Sequence, residues 1–186
     1  MNYERALLST IPKELSRPTP IIHVLIGPRQ AGKTTIARQI QESVAIPTVY
    51  ATADSPVPLD SAWIETQWRL AVAEAASGGG PILLILDEAQ KVRGWSETLK
   101  FLWDNRPTTP ELRVLILGSS SLLMQEGLTE SLAGRFFLHR CTHWGFSECH
   151  DAFGWSLEQW IYFGGYPGAV SFTENESAWK RYIADS

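Results

Sequence analysis

Residues Gly27-Pro28-Arg29-Gln30-Ala31-Gly32-Lys33-Thr34 place a lysine and a hydroxyl behind a loop bracketed by two glycines. An apolar run at residues 21–26 precedes them and a helix-like stretch at 35–44 follows. A strand that turns through glycines into a helix offers an anion several free backbone N–H groups and the positive end of a helix dipole. The phosphates of a nucleotide suit such a cradle. Gly27 and Gly32 permit conformations and close approaches that a Cβ would block; Lys33 reaches the β- and γ-phosphates, and the Thr34 hydroxyl is a ligand for Mg²⁺. The expected nucleotide-binding segment is therefore Gly27 to Thr35. A ligand-free glycine turn is the plain alternative, and the strand–loop–helix setting weighs against it.

A second group of chemical residues follows about fifty positions later. Residues 82–86 are all aliphatic and run into Asp87-Glu88. In open α/β sheets, ligands gather at the carboxyl ends of the strands. There Asp87 would help hold Mg²⁺, and Glu88 would polarise a water for attack. Such a glutamate favours hydrolysis over transfer to a small acceptor. No Asn-Lys-x-Asp guanine-reading signature occurs, so ATP is expected rather than GTP. Beyond the strand at 113–117, which ends at Gly118, the hydroxyls of Ser119 and Ser120 are candidates to sense the γ-phosphate or orient the water. Capping of the helix that begins at residue 122 would use the same hydroxyls. Arg135 is a candidate arginine finger acting on a nucleotide held by a neighbouring copy; an ordinary surface ion pair is its simpler role.

The elements that must position these groups alternate along the chain. Tyr3, Leu7, Leu8, Ile11 and Leu15 recur at helical spacing, and Pro18 and Pro20 end that packing helix, expected over 3–17. Residues 47–53 read as a strand, 54–60 as a proline-rich loop, 61–76 and 95–105 as helices. The aliphatic run at 82–86 has the pattern of a strand buried on both faces, and 113–117 reads as a further buried strand. This alternation predicts an α/β fold, a three-layer α/β/α sandwich around a mostly parallel sheet. The expected division is an ATPase core over 1–145 and a partial helical lid or linker over 146–186.

Composition sets limits. The chain has 186 residues, 44% hydrophobic and 19% charged, enough for one substantial core and a smaller subdomain. No apolar run approaches the ~18 residues of a membrane span, and charges interrupt the N-terminal apolar pattern, so a cytosolic protein is expected. The net charge of −4 provides no global basic field for nucleic acid. Two cysteines, Cys141 and Cys149, make no disulfide framework. His139, Cys141 and His143 would share one face of a strand, but three ligands on one straight strand do not close a tetrahedron, and a half-buried strand is the preferred reading. The eight tryptophans are expected mainly in the core.

With these motifs in place, the segments GPRQAGKTT, LDEAQKVRGW, LKFLWD, LILGSSSLLM, ESLAGR, GFSE and FGGYPGA together resemble the prokaryotic AAA+-type ATPases that carry a C-terminal, restriction-endonuclease-like domain of unknown function. The resemblance covers nearly the whole chain. It implies a five-stranded sheet with the P-loop strand at its centre, Lys33 and Thr34 at the phosphates and Mg²⁺, Asp87 and Glu88 as metal and water residues, a sensor at Ser119 or Ser120, and Arg135 as arginine finger. Family members continue beyond the amphipathic pattern at 179–186, so a missing C-terminal domain is expected; residues 163–168 read as a hinge between ATPase and lid or, equally, as an ordinary loop. A serine departs from the asparagine or threonine usual at the sensor position. The resulting expectation is an enzyme that binds ATP and Mg²⁺, hydrolyses ATP and drives a switch in an attached domain or in an unknown protein or nucleic-acid client. It would act as a homo-oligomer through Arg135 in trans, away from membranes. The alternative is a nucleotide-dependent scaffold with little hydrolysis, in DNA transactions or defence; a small-molecule kinase is a weaker third.

Overall fold

A computed structural model describes residues 3–108, 111–119 and 122–185. Five strands, β1 (Ile22–Gly27), β2 (Thr48–Thr52), β3 (Ile82–Asp87), β4 (Leu112–Ser119) and β5 (Phe136–Arg140), form one sheet in the order β2-β3-β4-β1-β5. Every pairing is parallel. The P-loop strand β1 thus lies between β4 and β5, one place off the expected centre, because β4, β3 and β2 stack on one side of it and β5 alone on the other; β4 stands between the strands that carry the phosphate loop and the acidic pair. That insertion sets Gly27 beside Ser119 in register.

Helices α1 (Leu7–Leu15) and α2 (Lys33–Ser43) cover one face of the sheet, and α3 (Ser61–Gly78), α4 (Trp95–Asp104) and α5 (Leu122–Glu130) the other. The strands β1, β3 and β4 alternate between these layers. Val24, Leu84 and Ile116 face Trp68, Trp95 and Trp103, while Leu25, Ile85 and Leu115 face Ile11, Leu15 and Ile36. Aliphatic runs are what burial on two faces demands, and His23 on β1 and Arg113 on β4 are buried polar exceptions. Five of the eight tryptophans are buried and the other three half-buried, in keeping with core packing.

Beyond β5 come α6 (Phe146–Phe153), α7 (Leu157–Phe163), a 3₁₀ segment (Pro167–Phe172) and α8 (Glu176–Asp185). They share a small aromatic cluster of their own, built on Trp144, Cys149, Ala152 and Trp155. The Glu148 carboxylate of the GFSE segment accepts from the Gly145 N–H at 2.9 Å, closing the first turn of α6. No helix among the described residues is long and apolar enough to cross a membrane.

Candidate functional site

The phosphate loop begins where β1 ends. A Cβ at Gly27 would lie 2.0 Å from the backbone oxygen of Cys141, so only glycine lets the chain leaving β5 approach this closely. Gly32 sits at φ +91°, the left-handed entry to α2, which begins at Lys33, two residues before the helix-like stretch in the sequence. Lys33 and Thr34 therefore stand in the first helical turn, where backbone N–H groups are free. The Lys33 ammonium, 7% exposed, donates to the carbonyls of Gly27 at 2.9 Å and Pro28 at 2.7 Å. Burial lowers its pKa, opposed by the attraction of Glu88, Cys141 and Asp87. Gln30 takes a positive φ of 62° at the crest of the loop.

The acidic pair faces this loop. The Asp87 Oδ2 accepts from the Thr34 hydroxyl at 3.0 Å and from the Tyr50 hydroxyl at 2.6 Å. The other carboxylate oxygen is buried with no partner. Tyr50, on β2, was not singled out by its sequence context. Burial, then the bond to Asp87, holds its phenol well above the ordinary range, so it remains a donor. Glu88 leaves the strand at φ +57°, which swings its side chain out of the β3 register. The amide of Gln90 donates to Glu88 Oε2 at 2.7 Å and to Ser119 Oγ at 3.2 Å, joining the two groups expected to handle the water. Within the DEAQ segment, the sequence signal for Gln90 is its spacing two residues from an acid. Ser120, the other sensor candidate, lies outside the described residues.

The cleft between these groups is about 650 Å³, lined by Arg29, Gln30, Gly32, Lys33, Thr34, Thr35, Asp54, Glu88 and Lys91, with Pro167 and Gly168 from the C-terminal segment. Beside it, sharing Gly32, Thr35 and Pro167, is a cavity of about 260 Å³ lined by Tyr3, Ile36, Trp144 and Phe153. Arg5 shapes the wall between β5 and the loop. Its guanidinium donates to the carbonyls of Ala31 at 3.2 Å and Thr142 at 3.1 Å and makes a two-point pair with Glu148 at 2.7 and 2.9 Å. The Trp144 indole N–H also donates to the Ala31 carbonyl at 3.3 Å. Neither residue was legible as a P-loop support.

Two sequence-derived groupings do not converge. Arg135 lies at the opposite edge of the sheet, where its carbonyl accepts from the Ile22 N–H at the start of β1. Six strand residues separate that point from the P-loop, about 20 Å. Its guanidinium is paired with Asp104 at 2.8 and 2.9 Å. His139, Cys141 and His143 do not share a strand face, because β5 ends at Arg140 and His143 is exposed against Tyr166. Cys141 and Cys149 are both free and buried.

A glycine-bracketed loop, a lysine on its carbonyls and a threonine bonded to a strand-end aspartate are the parts of a P-loop nucleotide site, and residues 19–150 match the AAA domain family. The chain belongs to that family of P-loop ATPases. It is 34% identical over 163 residues to uncharacterised proteins of Mycobacterium bovis and Mycobacterium tuberculosis; the match covers 87% of this chain and 33% of each relative. The chain thus spans about a third of the length of these curated relatives. The fold is also that of a Walker-type ATPase of Pyrococcus abyssi, at a TM-score of 0.65 and 16% identity, over 93% of this chain and 68% of that one.

Proposed function

We propose that the chain binds ATP with Mg²⁺ in the P-loop cleft, hydrolyses it, and passes the change to its C-terminal helices and through them to an attached domain or a client. The observation that carries this reading is the Thr34–Asp87 bond beside Glu88: a hydroxyl and a buried carboxylate with one oxygen unpartnered. That donor set fits Mg²⁺, which prefers hard oxygen ligands and keeps several waters. Thr34 and Asp87 would hold it, and when bound the ion offsets charge on the β- and γ-phosphate oxygens.

The protein's own groups do the rest. Lys33 exchanges two loop carbonyls for phosphate oxygens, while the free N–H groups of residues 30–35 surround the β-phosphate. The Tyr3, Trp144 and Phe153 cavity takes the adenine ring, an apolar slot with aromatic walls. Glu88 accepts a proton from the water whose oxygen attacks the γ-phosphorus, the bond to the ADP oxygen breaks, and the proton leaves with inorganic phosphate. Ser119 orients that water. Arg135, released from Asp104, serves a neighbouring copy. The Tyr182 hydroxyl on α8 donates to Gln30 Oε1 at 2.5 Å, a direct path from the loop to the helices we assign as lid, with residues 163–168 as hinge. Engagement of Glu88 by Gln90 favours a second reading, a nucleotide-dependent scaffold with slow turnover.

The test is Mg²⁺-dependent phosphate release from ATP across a wide range of protein concentrations, with Glu88→Gln and Arg135→Ala alongside. A specific rate that rises with concentration and collapses in both variants supports a trans-acting ATPase. Nucleotide binding with a flat, near-zero rate, unchanged in Glu88→Gln, supports the scaffold.

A further inference from the structure

A cluster of ligating atoms lies away from the nucleotide, on the face of the sheet covered by α1. His23 on β1 and His139 on β5 place Nδ1 and Nε2 3.0 Å apart. Glu14, near the end of α1, brings one carboxylate oxygen to 3.8 Å from the first and 3.6 Å from the second. Both rings are buried, at 1% and 8% exposed, and Glu14 opens the cluster to solvent. Among the described residues this is the convergent group of three histidine, cysteine or carboxylate ligands.

We propose that Glu14, His23 and His139 form a Zn²⁺ site that fastens the N-terminal helix to the sheet. Zinc with ligands at ~2.0–2.1 Å and tetrahedral angles has neighbouring donor atoms about 3.3 Å apart. The three separations here, 3.0, 3.6 and 3.8 Å, bracket that value. Shifts of a few tenths of an ångström in side chains close the triangle. Two imidazoles and one carboxylate with a solvent-facing fourth position are a zinc ligand set of the open type, in which water completes the tetrahedron while the three side chains tie α1, β1 and β5 together.

The surroundings select the metal. Arg113 and Arg17 lie close enough to His23 to press positive charge on the cluster. A site with one carboxylate and two nearby arginines is poor for Ca²⁺ or Mg²⁺, which are held by oxygen and charge, and better for a cation that prefers imidazole. The site is also independent of the nucleotide: His23 lies four strand residues before Gly27, about 13 Å away.

The experiment is titration of the metal-free protein, without nucleotide, by Co²⁺ as a spectroscopic stand-in and then by Zn²⁺. One Co²⁺ per chain should give an intense visible band of tetrahedral type with no thiolate charge-transfer band, and one equivalent of Zn²⁺ should abolish it. Glu14→Gln should weaken Co²⁺ binding at least tenfold. His23→Asn and His139→Asn should remove the band while nucleotide binding reports an intact fold; where either variant fails to fold, Glu14→Gln carries the test. Cys141→Ser should leave the band unchanged. Absence of stoichiometric uptake, a thiolate band lost in Cys141→Ser, or undiminished affinity in Glu14→Gln would each overturn the site.

Discussion

Removing one oxygen from Tyr50 tests whether Asp87 is held ready for a cation. The carboxylate is 4% exposed, and its two donors, Tyr50 and Thr34, share a single oxygen while the other has none. Tyr50→Phe leaves the ring volume intact and deletes a hydrogen bond to a charged acceptor, worth about 1.5–3 kcal/mol. For a domain of this size that corresponds to a fall in Tm of about 3–12 °C. Because burial and Asp87 keep the phenol protonated throughout the physiological range, the loss should be flat with pH. The assay is urea denaturation of wild type and variant, each free and with Mg²⁺ and a non-hydrolysable ATP analogue. The deficit should shrink once Mg²⁺ supplies the carboxylate with a new partner. A variant within ~0.5 kcal/mol of wild type when nucleotide-free, or a deficit of equal size in both states, would refute the reasoning.

Glu88→Gln should retain ATP binding and lose phosphate release by about 10²–10⁴-fold, the usual worth of a general base; a single-turnover assay decides. Gln90→Leu should change kcat and leave ATP affinity within twofold, since its amide touches Glu88 and Ser119 rather than the phosphate cradle. Gly27→Ala must displace the Cys141 backbone and should cost about 3 kcal/mol or more, read by denaturation. Burial raises the Glu148 pKa, but the bonds from Arg5 and the Gly145 N–H outweigh it and hold the carboxyl below its ordinary 4.5. Its contribution is therefore full above that value and lost as pH falls through the lower folded one. Glu148→Gln should flatten this acid limb in pH-dependent melting.

What was legible in the sequence was what is local. Gly27 to Thr34 are contiguous and Asp87-Glu88 ends an aliphatic run, so pattern alone placed both at strand ends, and the alternating elements foretold the three layers. Contacts between distant residues left no such mark. Tyr50 meets Asp87 across 37 positions, Gln90 meets Ser119 across 29, and Arg5 meets Glu148 across 143. The first two depend on strand order and the third on how α6 docks beside the N-terminal segment, neither of which periodicity encodes. The same holds for His139, whose ring meets His23 on the adjoining strand across 116 positions.

The placement of β1 also bears on how the chain acquires its structure during synthesis. Both neighbours of the P-loop strand, β4 and β5, are encoded far downstream, at residues 112–119 and 136–140. At ~5–20 residues per second, β1 and its loop emerge on the order of ten seconds before the last partner exists. For most of that interval, until β4 is complete, a highly apolar strand has two unpaired edges, and throughout it the phosphate loop lacks the Cys141 backbone and the Trp144 indole that support it. Nucleotide cannot template the early chain, because its cradle is among the last parts to close. Chains stalled before residue 140 should accordingly be sticky and ATP-blind, and chaperone demand should peak within that window.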